Sequence, residues 1–303
     1  MDLVNSLLGE AWFIAYRYSD VPLFCDKKNN DNFFIIKNSI RYWCADPFLF
    51  KHGNTTYIFM EIYDNFKQKG CIGYRTIKNG CVSKIHKCLE TEHHLSYPYI
   101  FEKQGEIYML PESYQSNNLV LYRAIEFPDI WESCDVFLEN ISVCDTDYIY
   151  NKGQWYLLTT PVDDEKFVYD RLDLYYQKDD VWVPCLDNPV VLDAGRARNA
   201  GMPFEYQNCI FRPSQNCSRI YGENLIFNQI DSLSYEKYEE HEIAKVTISD
   251  IPFMHSFHHF DGVHTYNMMD GIEVVDLYCS RVFLPMRFIR LCINRLGRGN
   301  KNS

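Results

Sequence analysis

ADPFLFKHGNTTYIFME, residues 45–61, reads as a short apolar strand, a polar turn carrying Gly53, and a second strand built around Tyr57. Two further stretches repeat it in register: SYPYIFEKQGEIYMLPE at 96–112 and CDTDYIYNKGQWYLLTT at 144–160. The tyrosines Tyr57, Tyr108 and Tyr156 set the frame. Eleven residues before them stand Asp46, Tyr97 and Asp145, and four residues after them Glu61, Glu112 and Thr160. In an antiparallel hairpin the start of the first strand lies beside the end of the second, so each repeat brings these two positions together at one end.

The frame tyrosines are 51 and 48 residues apart, near the period of propeller blades. AGMPFEYQNCIFRPSQ supplies a fourth copy, with Phe211 on the frame, Ala200 at the first position and Gln215 at the second. A fifth, FDGVHTYNMMDGIEVVDLYC, fits with Val275 on the frame and His264 first. CIGYRTIK, NLVLYRAI and LDLYYQK read as third strands, with connecting segments as fourth strands. Four antiparallel strands repeated radially make an all-β five-bladed propeller over residues 1–280. The run AWFIAYRY at 11–18 is expected to complete the last blade and close the ring. The overlapping MDLVNSLLGEAW also reads as a short helix, as does the C-terminal segment.

The aromatic fraction of 16% suits pleated surfaces. A net charge of −11 argues against a nucleic-acid partner, whose phosphates require a basic footprint. Twelve singly scattered cysteines, with no CxxC pair and no secretory leader, are expected as reduced thiols of a cytoplasmic protein. No run approaches the roughly 18 apolar residues of a spanning helix. SRVFLPMRFIRLCINRLGRGNKNS stands apart, because it alternates Arg281, Arg287, Arg290, Arg295, Arg298 and Lys301 with apolar residues and has no acid. Residues 281–303 therefore read either as a basic amphipathic tail that contacts the inner face of a membrane peripherally, or as a helix docked on the protein.

In a propeller the first positions converge at the mouth of the central channel. Glycosyl transfer needs one carboxylate to accept a proton or stabilise positive character, and a second acid to protonate the leaving oxygen. Asp46 and Glu112 are the expected pair, with Asp145 tuning them electrostatically. Taken singly, an Asp or Glu beside Pro at a strand end is usually a turn residue; recurrence at equivalent positions is what lifts these three above that reading. Glu61, Tyr97, Asp147, Arg198, Arg212, Gln215, His259 and His264 are the expected substrate-binding set. Arg212 reads equally as a bridge between blades. His258, His259 and His264 lack an HExxH-like ligand pattern, and neither a nucleotide-binding Gly-rich loop nor a convincing DxD motif occurs, so no metal and no cofactor are expected.

ADPF, SYP, LPES, the Asp of CDTDYIY, the AGMPF…RPSQ…YG run and GVHT together resemble the propeller domain at the N-terminus of plant glucosamine inositolphosphorylceramide transferases and bacterial relatives, over about residues 40–280. More distantly the layout is similar to the five-bladed propellers of glycoside hydrolase families 43, 32 and 68. The family 43 resemblance implies Asp46 as general base, Asp145 as the orienting and pKa-tuning group and, by a looser match, Glu112 as general acid. Thr160 departs from the carboxylates at Glu61 and Glu112, which counts against simple inverting hydrolysis. The reading is a cytoplasmic glycosyltransferase or transglycosylase acting on a sugar donor and a glycan or glycolipid acceptor. A furanosidase-like hydrolase and a noncatalytic glycan- or protein-binding propeller are the alternatives.

Overall fold

The computed structural model describes residues 8–25, 32–78, 80–162, 169–253, 258–286, 289–290 and 293, and these form five antiparallel sheets arranged as the blades of a propeller. Blade 1 runs outward from Tyr42–His52 through Thr55–Asp64 and Lys69–Lys78 to Cys81–Val82, with His86–Leu89 also on the third strand. Blade 2 comprises Ser96–Lys103, Glu106–Glu112, Asn118–Glu126 and Ile130–Glu139. Blade 3 comprises Val143–Asn151, Gln154–Pro161, Arg171–Lys178 and Val181–Pro184, and blade 4 Phe204–Tyr206, Cys209–Asn216, Asn224–Leu233 and Tyr238–Val246. The third strands foreseen in blades 1 to 3 are all present.

Blade 5 is built from both ends of the chain. Gly262–Met269 and Ile272–Phe283 form its inner hairpin, and Leu8–Tyr18 pairs antiparallel with Ile272–Phe283 from Leu8↔Phe283 to Tyr18↔Ile272. The N-terminal run thus closes the ring, and the expectation of a helix across Leu8–Trp12 is corrected. Those residues are a strand because Ala11, Phe13 and Ala15 pack with Val275, Leu277 and Cys279 in one apolar cluster, an alternation that matches the pleat. The last strand continues to Phe283, three residues beyond the expected boundary at 280. Most of the basic segment 281–303 lies outside the described residues.

Apolar clusters fill the wedges between blades. Phe48, Phe59, Tyr97 and Tyr148 belong to one that joins blades 1 to 3, and Leu225, Phe227, Tyr266 and Val275 to one that joins blades 4 and 5. Phe48 and Phe59, opposite one another across the first hairpin, have no accessible surface. Truncating either to Ala costs about 3–5 kcal/mol. Eleven free cysteines are found among the described residues, and no helix there is long and apolar enough to cross a membrane.

The inner hairpins share a local irregularity that positions the site. Register slips between Ala45 and Phe48, Ser96 and Tyr99, Cys144 and Asp147, and Val263 and Tyr266 mark a bulge at the same place in four blades. Asp46, Tyr97 and Asp145 occupy it with φ of 49°, 43° and 46°. Asp tolerates this left-handed region; for Tyr it is a genuine outlier, held by its surroundings. In blade 5 the hairpin is shorter, turning at Asp270–Gly271, so Val275 faces Tyr266 much as Phe59 faces Phe48. The count of eleven back from Val275 still reaches the bulge residue, His264. In blade 4 the Gln215 N–H bonds the Arg198 carbonyl at 2.8 Å, so Gln215 stands beside Arg198 rather than Ala200.

Candidate active site

A cavity of about 250 Å³ opens where the bulges converge, lined among others by Asp46, Glu61, His94, Glu112, Tyr114 and His264. The strands deliver these side chains from three blades: Asp46 and Glu61 from blade 1, Glu112 from blade 2 and His264 from blade 5. Trp12, Trp43, Tyr63 and Tyr221 wall its mouth. Trp43 and Tyr63 are stacked at 4.4 Å and 10° between planes, and Trp12 lies over the His264 ring at 4.1 Å.

The carboxylates are tied to the bulges. The left-handed turn leaves the first-position N–H free of the ladder, and a carboxylate of a neighbouring strand takes it up. Asp276 Oδ2 accepts the Asp46 N–H at 2.9 Å, Asp46 Oδ2 accepts the Tyr97 N–H at 3.2 Å, and Glu112 Oε2 accepts the Asp145 N–H at 3.2 Å. Each bond runs from one blade to the next. Asp46 Oδ1 accepts the Thr265 hydroxyl at 3.0 Å and lies 3.5 Å from His264 Nε2. His264 Nδ1 is 2.7 Å from Asp276 Oδ2, and its Nε2 is 3.0 Å from the Tyr221 hydroxyl. Glu61 Oε1 lies 3.1 Å from His94 Nε2.

Burial drives the Asp46 carboxyl up to about 7; the charge of His264 opposes the rise, and those of Asp276, Asp145 and Glu61 add to it. Glu112 is held well above the usual carboxylate range by burial first and Asp145 second, with Arg198 opposing. Burial lowers His264, but Asp276 and Asp46 outweigh it and leave the imidazole above its ordinary value. Burial and Asp145 therefore favour the protonated form of Glu112, while Asp46 is poised near neutrality between its two forms.

Asp145 sits beside this pair as an ion-paired carboxylate. Arg198 Nε donates to its Oδ2, and Gln215 Nε2 donates to the same oxygen at 3.0 Å. Arg198 Nη2 is 3.9 Å from Glu112 Oε2, and the guanidinium packs on the rings of Tyr169 at 4.1 Å and Tyr221 at 4.8 Å. Arg198 Nη1 is buried without a hydrogen-bond partner. Two trios, Asp46–His264–Asp276 and Glu112–Cys144–Asp145, have donor atoms within 4.8 Å of one another and could hold a metal ion. The carboxylates of both already carry hydrogen bonds from the chain, which a cation would have to displace.

The geometry brings Asp46, Glu61, Glu112 and His264 to the cavity, with Arg198, Gln215 and Asp145 behind them. Four expected substrate-binding residues stand elsewhere. Tyr97 is wholly buried, its hydroxyl donating to Asp147 Oδ1 at 2.8 Å and accepting the Gly201 N–H at 2.8 Å. Asp147 is equally enclosed. Arg212 bridges no blades through these bonds but ties blade 4 to its own entry segment: its guanidinium donates to Glu240 at 2.6 and 2.8 Å, to the Arg196 carbonyl at 2.8 Å and to Asn199 Oδ1 at 2.8 Å. His259 is at the surface, its side chain 91% exposed and 3.4 Å from Asp261. Ala200 contributes main chain alone, its N–H bonding Pro213 O and its carbonyl accepting the Tyr266 N–H.

Trp12, Tyr63, His94, Tyr221 and Asp276 escape the repeat count because none occupies either counted position. Asp276 did leave a signal: it is a carboxylate inside the otherwise apolar run Val274–Cys279, and such a residue must bond something.

Residues 23–269 match the family described as glucosamine inositolphosphorylceramide transferase 1, N-terminal. The chain is 33% identical over 208 residues to glucosamine inositolphosphorylceramide transferase 1 of Arabidopsis thaliana, covering 66% of this chain and 27% of that protein. The protein of the same name from Oryza sativa subsp. japonica is 30% identical over 203 residues, with 65% and 27% covered. The chain thus spans about a quarter of the length of these relatives. In three dimensions it is similar to an alpha-L-arabinofuranosidase from Podospora anserina solved with cellotriose, at a TM-score of 0.57 and 9% identity, covering 81% of this chain and 94% of that one. The catalytic domain of a GH62 alpha-L-arabinofuranosidase from Coprinopsis cinerea gives 0.56 at 10% identity, covering 87% and 97%. At such identities the likeness is one of fold. The match over 23–269 and the two plant relatives place the chain in the family of glucosamine inositolphosphorylceramide transferase N-terminal domains.

Proposed function

We propose that the chain is a carbohydrate-active enzyme that transfers a glycosyl group at the carboxylate cavity. The observation that carries this reading is the pair Asp46 and Glu112, both with raised pKa values and both lining one cavity of about 250 Å³. Glu112, whose protonated form burial and Asp145 favour, donates its proton to the leaving-group oxygen as the glycosidic bond breaks. Asp46, ionised, takes the proton of the acceptor hydroxyl as the new bond forms. Arg198 and Gln215 fix Asp145, and Asp145 adds like-charge repulsion to the burial that raises Glu112. Trp43 and Tyr63 offer ring faces to a sugar at the mouth.

The family name supports transfer, since the plant relatives are called transferases. The acceptor in this reading is a glycan or glycolipid. Its setting is the cytoplasmic face of a membrane, supported by the arginines and interleaved apolar residues of 281–303. The test is a screen of activated glycosides and nucleotide sugars with and without sugar acceptors, with products separated by mass spectrometry. Transfer predicts a new glycoside that depends on the acceptor. Free sugar alone would move the reading to hydrolysis, and no turnover of any donor would favour a binding module.

A further inference from the structure

Three hollows share walls on the face that carries the cavity. The carboxylate cavity shares Trp12, Trp43, Tyr63 and Tyr221 with a hollow of about 620 Å³. That hollow shares Trp43, Asn65 and Leu284 with a third, of about 590 Å³. Trp43 walls all three.

The chemistry of the walls changes along this path. Asp46, Glu61 and Glu112 line the first hollow, and Glu10 is the single acid of the second. Among the described residues the third has no carboxylate. Phe13, Phe34, Ile35, Ile40, Val282 and Phe283 line it, with Lys37 as its one ammonium group among the described residues. Ile40 is 72% exposed, Phe283 60% and Phe34 45%. Large apolar side chains left open to water around one hollow mark a binding groove.

The groove and the cavity are linked through shared walls, and that adjacency selects the occupant. A free sugar satisfies only the carboxylate end, and an isolated hydrocarbon only the apolar end. An amphiphile with a sugar head and a hydrocarbon chain satisfies both. We infer that the groove between Phe34, Ile40 and Phe283 takes the hydrocarbon chain of an amphiphilic glycoside, passing Trp43, while the sugar head enters the carboxylate cavity. The placement of the head rests on the glycosyl-transfer reading; the groove's affinity for the chain does not.

The experiment is a calorimetric titration of the full chain with glucose and with hexyl, octyl and decyl glucosides, each below its micellar concentration. Affinity is expected to rise about fourfold for each methylene that enters the groove. Ile40→Asp and Phe283→Asp, both at exposed positions where folding is insensitive to polarity, flatten that dependence. Glu112→Gln leaves it intact, so loss of the chemistry and loss of chain binding are read separately. A series without chain-length dependence, or a dependence that survives in both Asp variants, overturns the inference. So does a wild-type chain that sediments as a dimer and that Phe283→Asp converts to monomer, since a second copy would then be the occupant.

Discussion

Asp46 Oδ2 accepts the main-chain N–H of Tyr97 at 3.2 Å, so the carboxylate assigned as base also holds the left-handed bulge of the neighbouring blade. The same oxygen cannot both serve a substrate freely and be removed without structural effect. Asp46→Ala would therefore confuse two roles. Asp46→Asn can keep its one acceptor on the Tyr97 N–H while it removes the charge, and it turns an NH2 toward the Thr265 hydroxyl, which can accept.

That substitution should stabilise the fold at alkaline pH. The Asp46 pKa is raised by folding, from an ordinary carboxylate value to about 7. A raised pKa contributes stability that is fully present below the unfolded value near 4 and is lost as pH rises through 7. Denaturant titrations should show Asp46→Asn more stable than the wild type by about 4 kcal/mol at pH 8, with the difference closing toward pH 4. The same substitution should cut turnover about a thousandfold or more, so stability and activity move in opposite directions.

The pH–rate profile follows from the same two groups. kcat/KM should climb through a pKa near 7 as Asp46 ionises and carry an opposing limb where Glu112 loses its proton. Because Arg198 lowers Glu112, Arg198→Met should move that opposing limb to higher pH. It also strips Asp145 of its cation, at a cost of about 3–5 kcal/mol measured by urea unfolding.

Asp276 accepts from the Asp46 N–H, from the Thr265 N–H at 2.8 Å and pairs with His264 Nδ1. Asp276→Asn should lower the His264 pKa, read from the imidazole resonances, because burial lowers that ring and the Asp276 charge and hydrogen bond, together with Asp46, are what raise it. Asp276→Ala leaves these donors unpaired in a site with no accessible surface, and should cost about 3 kcal/mol or more.

Ring closure depends on Leu8–Tyr18, whose Arg17 Nε donates to Glu273 Oε2 at 2.5 Å inside the last blade. Deleting residues 1–18 removes that strand from the sheet and buries Glu273 without its cation. The shortened chain should lose its single cooperative thermal transition, followed by circular dichroism.

The propeller was legible because its inner hairpins keep turn, apolar alternation and a frame tyrosine in register, and these are local features. Blade 4 resisted because one extra residue separates Arg198 from Phe204, so a fixed count lands on Ala200. The direction of side chains at the bulge could not be counted either. Asp46 is short enough to stay at the cavity wall, whereas at the same φ the Tyr97 ring packs edge-on against Phe48 in the core. Arg212 and Arg198 look alike in sequence, and only tertiary partners separate a clamp on Glu240 from a guanidinium on Asp145.

The most direct measurement is kcat/KM for glycosyl transfer by Asp46→Asn and Glu112→Gln, with donor binding followed in parallel. The account predicts a loss of about a thousandfold or more for each, with binding within a few-fold of the wild type. Transfer by both variants at the wild-type rate would contradict it.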